Sequence, residues 1–183
     1  MWRRTGKAYW SKLAFVVLLG IATVVTGLGS GEALATPSSG FSATTLAVGG
    51  FDEFDVFNQF VLHGGPPPRN NNLWLSMQKT KGLSDVYVQS NTWQAGGTTG
   101  WHTHPGHSLI IVTSGTLTYY EGNDPTCEPH ELTVGMGYVD AGGDHVHIVR
   151  NEGSIQATGI AVQLIPAGAT RRIDVPDPGN CPF

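Results

Sequence analysis

Apolar residues in this chain fall in short runs, each closed off by glycine, proline, asparagine or aspartate. Leu73 to Met77, Val86 to Trp93, Leu132 to Val139 and Ile155 to Ile165 are such runs, and they predict strands joined by turns. In the second run Tyr87, Gln89, Asn91 and Trp93 share a parity, so they project from one face, either to wall a pocket or to fill a core. Ser108 to Thr113 is almost continuously apolar and predicts a strand buried on both faces; Ser114-Gly115 then predicts a hairpin into Thr116 to Tyr120. Gln163 interrupts the apolar stretch Ile160 to Ile165 and needs a hydrogen-bond partner if buried, either as a structural amide or at a pocket.

Upstream, Thr36 to Gly40 reads as a linker and Thr44 to Val48 as a first strand. Phe51, Phe54, Phe57 and Phe60 recur every third residue with Asp52, Glu53 and Asp55 between them, which predicts a short helical turn packing its aromatic side on the core. His63-Gly-Gly-Pro-Pro-Pro-Arg-Asn-Asn-Asn is a loop, because prolines cannot donate ladder hydrogen bonds. Glu121 to Glu128 is a polar loop, and His130 beyond it is expected to be exposed. Pro166 to Phe183 is expected to wrap the domain as a tail, with Arg171 and Arg172 pairing acidic surface groups.

The first 35 residues follow another pattern. Basic Arg3, Arg4, Lys7 and Lys12 precede an apolar run, Leu13 to Val25, which ends in Ala33-Leu34-Ala35 before Thr36. This is the order of an export signal, and the run is short for a membrane span of about 20 residues. Thr5-Gly6 after Arg3-Arg4 lacks the apolar pair expected for twin-arginine export, so general secretion is favoured. The expected organisation is a signal peptide at 1–35, a linker and extension at 36–72, and a β-barrel with its tail at 73–183. The mature chain is expected to be secreted or extracytoplasmic, with no membrane contact after cleavage.

Composition narrows the class. With 25 glycines, 11 prolines and 13% charged residues, the chain suits an all-β single domain rich in turns. Removing residues 1–35 takes away four basic residues and Glu32, moving the formal charge from −4 to −7. An acidic chain without a basic stripe argues against a nucleic-acid partner. In an oxidising compartment the two cysteines, Cys127 and Cys181, are expected to form a disulfide; they show no metal-binding spacing.

The chemistry concentrates in two histidine pairs. His102 and His104 stand two apart, so on a strand both imidazoles point to one side. His145-Val-His147 follows and can bring one or both of its rings to the same point. Neutral imidazoles converging on one spot suit a divalent transition metal, whether iron, manganese, zinc, nickel or copper. A metal-free polar pocket lined by these histidines is the alternative.

These segments resemble the paired motifs of the cupin superfamily. Gly96, His102, His104 and Gly115 fall on the first motif, while Ser108 and Leu109 stand where its glutamate is expected; His107, one residue off register, is the nearest candidate replacement. In the second motif His147 and Asn151 keep the final spacing, whereas Asp140-Ala141-Gly142 in the Pro-x-Gly place selects His145 instead. The resemblance implies a double-stranded β-helix, or jelly-roll, barrel holding a metal through His102, His104 and either His147 or His145, with His107 as a further candidate. Ser108, smaller than glutamate, would leave room for an oxygen-rich small molecule, and Gln163 is placed with it in the substrate pocket. Three neutral ligands leave the metal's charge uncompensated, which favours anionic oxygen donors. The fold hosts many chemistries and does not itself choose among them; a dioxygenase-like oxidoreductase is the leading expectation. An isomerase or decarboxylase and a non-catalytic sugar- or small-molecule-binding module are the alternatives. The expected partner is a small molecule, and a homodimer is an open assembly.

Overall fold

The structure, a computed structural model, describes residues 34–61 and 73–183. The export segment through Ala33 and the loop containing His63 lie outside the described residues. Ala33–Phe183 forms one compact unit.

Among the described residues there are twelve strands and no helix. They are β1 (Ser39–Phe51), β2 (Asp55–Val61), β3 (Leu73–Lys79), β4 (Ser84–Thr98), β5 (His102–Thr103) and β6 (Ser108–Ser114). Then follow β7 (Leu117–Glu121), β8 (His130–Leu132), β9 (Gly137–Asp140), β10 (His147–Arg150), β11 (Ala157–Pro166) and β12 (Ile173–Asp174). Ten of them form an antiparallel sheet in the order β12-β5-β10-β4-β11-β6-β9, with β1 added to β4 and β7 to β10, and β8 beyond β7. The result is an all-β, nearly closed jelly-roll barrel. β4 is its spine, since β1 pairs along one edge from Ser39↔Thr98 to Phe51↔Ser84 and β11 along the other from Ala157↔Trp93 to Pro166↔Ser84.

Period-two alternation determines what the barrel encloses. Ser108, Ile110 and Val112 of β6 are buried, as are Ala157, Ala161, Gln163 and Ile165 of β11 and Gln89, Asn91 and Trp93 of β4. Each strand changes character along its length. Trp93, Val112 and Ala157 join Leu117, Leu132 and Val149 in an apolar core, while Gln89, Asn91, Ser108 and Gln163 place polar groups toward the other end. Burying each large apolar side chain stabilises the fold by about 1.5–3 kcal/mol, so that end anchors the barrel. A second cluster of Trp101, Tyr120, Ile148 and Cys181 packs beneath the tail.

Several sequence expectations change here. The phenylalanine repeat is not a helical turn: Asp55–Val61 is β2, paired with β3 in a separate two-stranded sheet, and Phe57 and Phe60 are each 60% exposed. Val56, Phe57, Phe60 and Val61 are strand formers, and a partner strand settled a three-residue spacing that fits neither period cleanly. β6 is buried on one face only, for Leu109 and Ile111 are half exposed on the outside. Nor do β6 and β7 form a hairpin. β6 pairs with β9 and β11, whereas β7 pairs with β8 and β10. Gly115 makes that crossing. Its φ is +69°, and a Cβ there would lie 2.8 Å from the Ala157 Cβ, so a side chain would block the chain's passage over the start of β11.

Both ends of the domain are tied to the first histidine segment. Thr36 is docked rather than tethering: its hydroxyl accepts from the Trp101 N–H at 2.7 Å and its own N–H donates to the Val175 carbonyl at 3.0 Å. β12 pairs with β5 as Ile173↔Thr103 and Asp174↔His102. The Cys127–Cys181 disulfide fastens the tail to the loop after β7.

Candidate metal centre

His102 and His104 lie on and just past β5, and His147 opens β10. The register sets His147 directly opposite His102, and the i, i+2 relation sends His104 to the same side. One imidazole nitrogen of each of the three lies within 4.8 Å of the others, so the group could hold a metal ion. His102 and His147 are 4% and 1% exposed, and His104 is partly buried.

Backbone carbonyls orient two of the rings. His102 Nδ1–H donates to the Gly100 carbonyl at 2.9 Å, and His104 Nδ1–H donates to the Arg171 carbonyl at 2.5 Å. Each bond leaves Nε2 with its lone pair free, the arrangement that a metal-ligating imidazole adopts. Burial also keeps the rings neutral. Desolvation pushes His102 well below the ordinary imidazole value, helped by His147, and it lowers His104 as well. Desolvation takes His147 down to about 4, although Asp140 opposes the shift.

The remaining candidates are placed differently. His145 is not in that group of three, although its ring stacks on His147 with centroids 5.7 Å apart; its Nδ1 is 3.3 Å from Asp140 Oδ1 and its Nε2 3.5 Å from Glu121 Oε1, and with Asp140 and His147 it forms a second group that could hold an ion. His107 is not brought to the cluster. Its Nε2 faces Gln78 Nε2 at 3.3 Å in a separate cleft bordered by Lys81 and Leu164. Asn151 explains why the His147 spacing holds: it is 2% exposed, its Nδ2 donates to the carbonyls of Trp93, Gln94 and Ile155, and its Oδ1 accepts from the Gly153 N–H.

The histidines open on a cavity of about 100 Å³ walled by Gln89, Asn91, Ser108, Gln163 and Arg171 among others. Gln163 Nε2 donates to the Arg171 carbonyl, while Gln163 Oε1, Asn91 Oδ1 and Trp93 Nε1 are buried and have no hydrogen-bond partner among the described residues. Such unpaired polar atoms are costly unless a ligand or water meets them. Two residues here escaped sequence reasoning. Arg172 does pair an acidic group, Asp174, but Arg171 turns to the cavity. Its guanidinium lies 4.7 Å over the Tyr87 ring, and Gln89, in the amide orientation that satisfies both groups, accepts from it at 2.5 and 3.1 Å. Asp140, fully buried, stands 3.5 Å from His104 and 3.6 Å from His147. It occupies the proline place of the second motif, and that replacement was the signal available in the sequence.

Residues 91–162, which contain the three histidines and most of the cavity wall, match the family model described as the cupin domain. This stretch of the chain is a cupin domain. No curated protein matches it. Among solved structures, this cupin is similar to an oxalate oxidase at 20% identity and a TM-score of 0.39, over 45% of this chain and 46% of that one. It therefore spans less than half the length of that protein. A double-stranded β-helix protein from Klebsiella pneumoniae subsp. pneumoniae is similar at 23% identity and 0.41, over 49% and 75% of the two chains. A cupin-like protein from Thermotoga maritima is similar at 20% and 0.42, over 53% and 79%.

Proposed function

We propose that this cupin is an exported protein that binds one divalent transition metal through His102, His104 and His147 and presents it to a small oxygen-rich molecule, with dioxygenase-like oxidoreductase chemistry as its activity. The observation that carries the metal reading is the convergence of three neutral imidazoles, two buried and one partly buried, two of them held by backbone carbonyls with Nε2 free. Export is supported by the basic, apolar and small-residue order of residues 1–35 and by the Cys127–Cys181 disulfide, which suits an oxidising compartment. No helix among the described residues is long and apolar enough to cross a membrane.

A bound divalent ion supplies Lewis-acid polarisation of an oxygen ligand or, if redox-active, activation of dioxygen. The chain's own residues define what reaches it. Arg171 offers a guanidinium to a carboxylate, while Gln163 Oε1, Asn91 Oδ1 and Trp93 Nε1 offer one donor and two acceptors to hydroxyls or amides. Ile110, Val149 and Ala161 in the wall exclude water between these points. The volume limits the ligand to a few heavy atoms. Those unpaired amide groups also favour a second reading, in which the pocket binds a small hydroxylated molecule without turnover.

Elemental analysis of tag-free protein should find close to one transition-metal ion per chain. Calorimetry of the manganese-loaded protein with oxalate as a two-oxygen probe should show binding that Arg171→Ala weakens by about tenfold. Protein that takes up no divalent metal would defeat the proposal. Dioxygen consumption with small carboxylic acids separates the enzyme from the binding module.

A further inference from the structure

We infer that Asp140 is the carboxylate ligand of this metal site, delivered from the neighbouring strand to replace the glutamate missing from β6. The inference rests on the reading of His102, His104 and His147 as metal ligands. Ser108, where the family pattern expects glutamate, points into the barrel, and its direct cross-strand partner on β9 is Asp140. Cross-strand partners project from the same face at the same level, so a carboxylate on either residue serves one place.

The hydrogen bonds around Asp140 are incomplete in a way that points to a cation. Oδ1 accepts from the Gly142 N–H at 2.9 Å and from His145 Nδ1 at 3.3 Å. Oδ2 is buried and has no hydrogen-bond partner among the described residues, although a buried carboxylate oxygen needs one. Its neighbour at 3.5 Å is His104 Nε2. Because the His104 proton is on Nδ1, donated to the Arg171 carbonyl, neutral His104 presents a lone pair to a carboxylate lone pair. His147 Nδ1 is likewise buried and without a hydrogen-bond partner, 3.6 Å from Oδ1. Two acceptors facing each other repel, and a shared ion removes the repulsion. Donors that each lie about 2.0–2.2 Å from zinc can be separated by up to about 4.4 Å, which accommodates the observed spacing. His145, backed by Glu121, is then a positioning residue that holds Oδ1 and keeps Oδ2 turned toward His104. The carboxylate cancels one of the ion's two charges. The open positions are therefore less electrophilic than a site of three imidazoles alone, and Arg171 supplies the complementary charge for an anionic ligand.

Asp140→Asn retains the shape and an Oδ1 acceptor for Gly142 but removes the anionic donor. Titrated with Mn²⁺ by calorimetry, it should bind at least about tenfold more weakly than the wild type, as expected when a charged ligand is lost. The Co²⁺ complex should show altered visible bands. The double variant Ser108→Glu with Asp140→Asn, which moves the carboxylate across the strand pair, should regain most of the lost affinity. His102→Ala is the control: its loss of Mn²⁺ binding with wild-type affinity and spectrum in Asp140→Asn would overturn the Asp140 assignment alone. Retained binding in His102→Ala would overturn the histidine reading beneath it. Should Asp140→Asn fail to fold, infrared difference spectra of wild-type protein carrying ¹³C-labelled aspartate decide the matter. A shift of an aspartate carboxylate band on adding Zn²⁺ supports coordination, and its absence rejects it.

Discussion

His102 and His147 face each other directly across the β5–β10 pair, with their ring centroids 4.3 Å apart. Two imidazolium ions could not share that space, since both rings are buried and like charges at this distance repel without solvent to screen them. The pairing therefore commits the barrel to neutral rings, and neutral rings with free lone pairs invite a cation.

Metal affinity should separate the seven histidines of the sequence. His102→Ala and His147→Ala should each lose Mn²⁺ binding, whereas His107→Ala, which alters a group in another cleft, should bind like the wild type. At a metal concentration 100 times Kd, the wild type gains about 2.7 kcal/mol that the first two variants do not. Calorimetry and melting curves with and without Mn²⁺ check both statements.

The metal-free protein should become less stable as acidity rises. An unfolded histidine titrates near 6.5. Folded His147 does so only at about 4, and His102 and His104 also lie below their ordinary value. Between these limits the unfolded chain binds protons that the native chain refuses. Stability is thus complete above pH 6.5 and falls progressively as pH drops. The contribution of His147 levels off below about 4. Urea midpoints at pH 7, 6 and 5 in the presence of a chelator should decline in that order, and a flat series would contradict the burial of neutral rings.

Asn151→Ala should destabilise the fold by about 2–4 kcal/mol, because it leaves three carbonyls without their shared donor and the Gly153 N–H without its acceptor. The urea midpoint measures the loss. An effect below about 0.5 kcal/mol would mean that water replaces these bonds.

Replacing Cys127 and Cys181 with serine should remove about 4 kcal/mol of stabilisation, given a sequence separation of 54 residues, and lower Tm by about 10 °C. Reduction of the wild type should reproduce the shift, as scanning calorimetry would show.

The barrel was legible from sequence because strand-length apolar runs and two His-x-His spacings are local signals. Positions such as Gln89 and Asn91 could be assigned to one face by parity alone. What escaped depends on pairing between distant segments. Nothing local to β6 reveals that β7 passes to another partner, and the spacing of Phe57 and Phe60 is decided by their alignment with Met77 and Trp74. Asp140 shows the same limit at the site. Sequence register marks the lack of glutamate at Ser108, but the carboxylate beside it becomes visible only when β9 is laid against β6. Arg171 was assigned to the surface because a tail gives no periodicity from which to infer an inward turn.

The short strand β5 lies between β10 and β12, and its hold on β12 is shared with the docking of Thr36 and Val175 around Trp101. None of these contacts is local, so each must await the closure of a long loop, and loop closure costs entropy before it returns any contact energy. The metal-binding geometry is consequently expected to form late in folding. An ion that recognises only the finished arrangement has little to grip in the folding transition state. A metal ion bound there should then slow unfolding far more than it speeds refolding, and would act as a kinetic lock on the barrel.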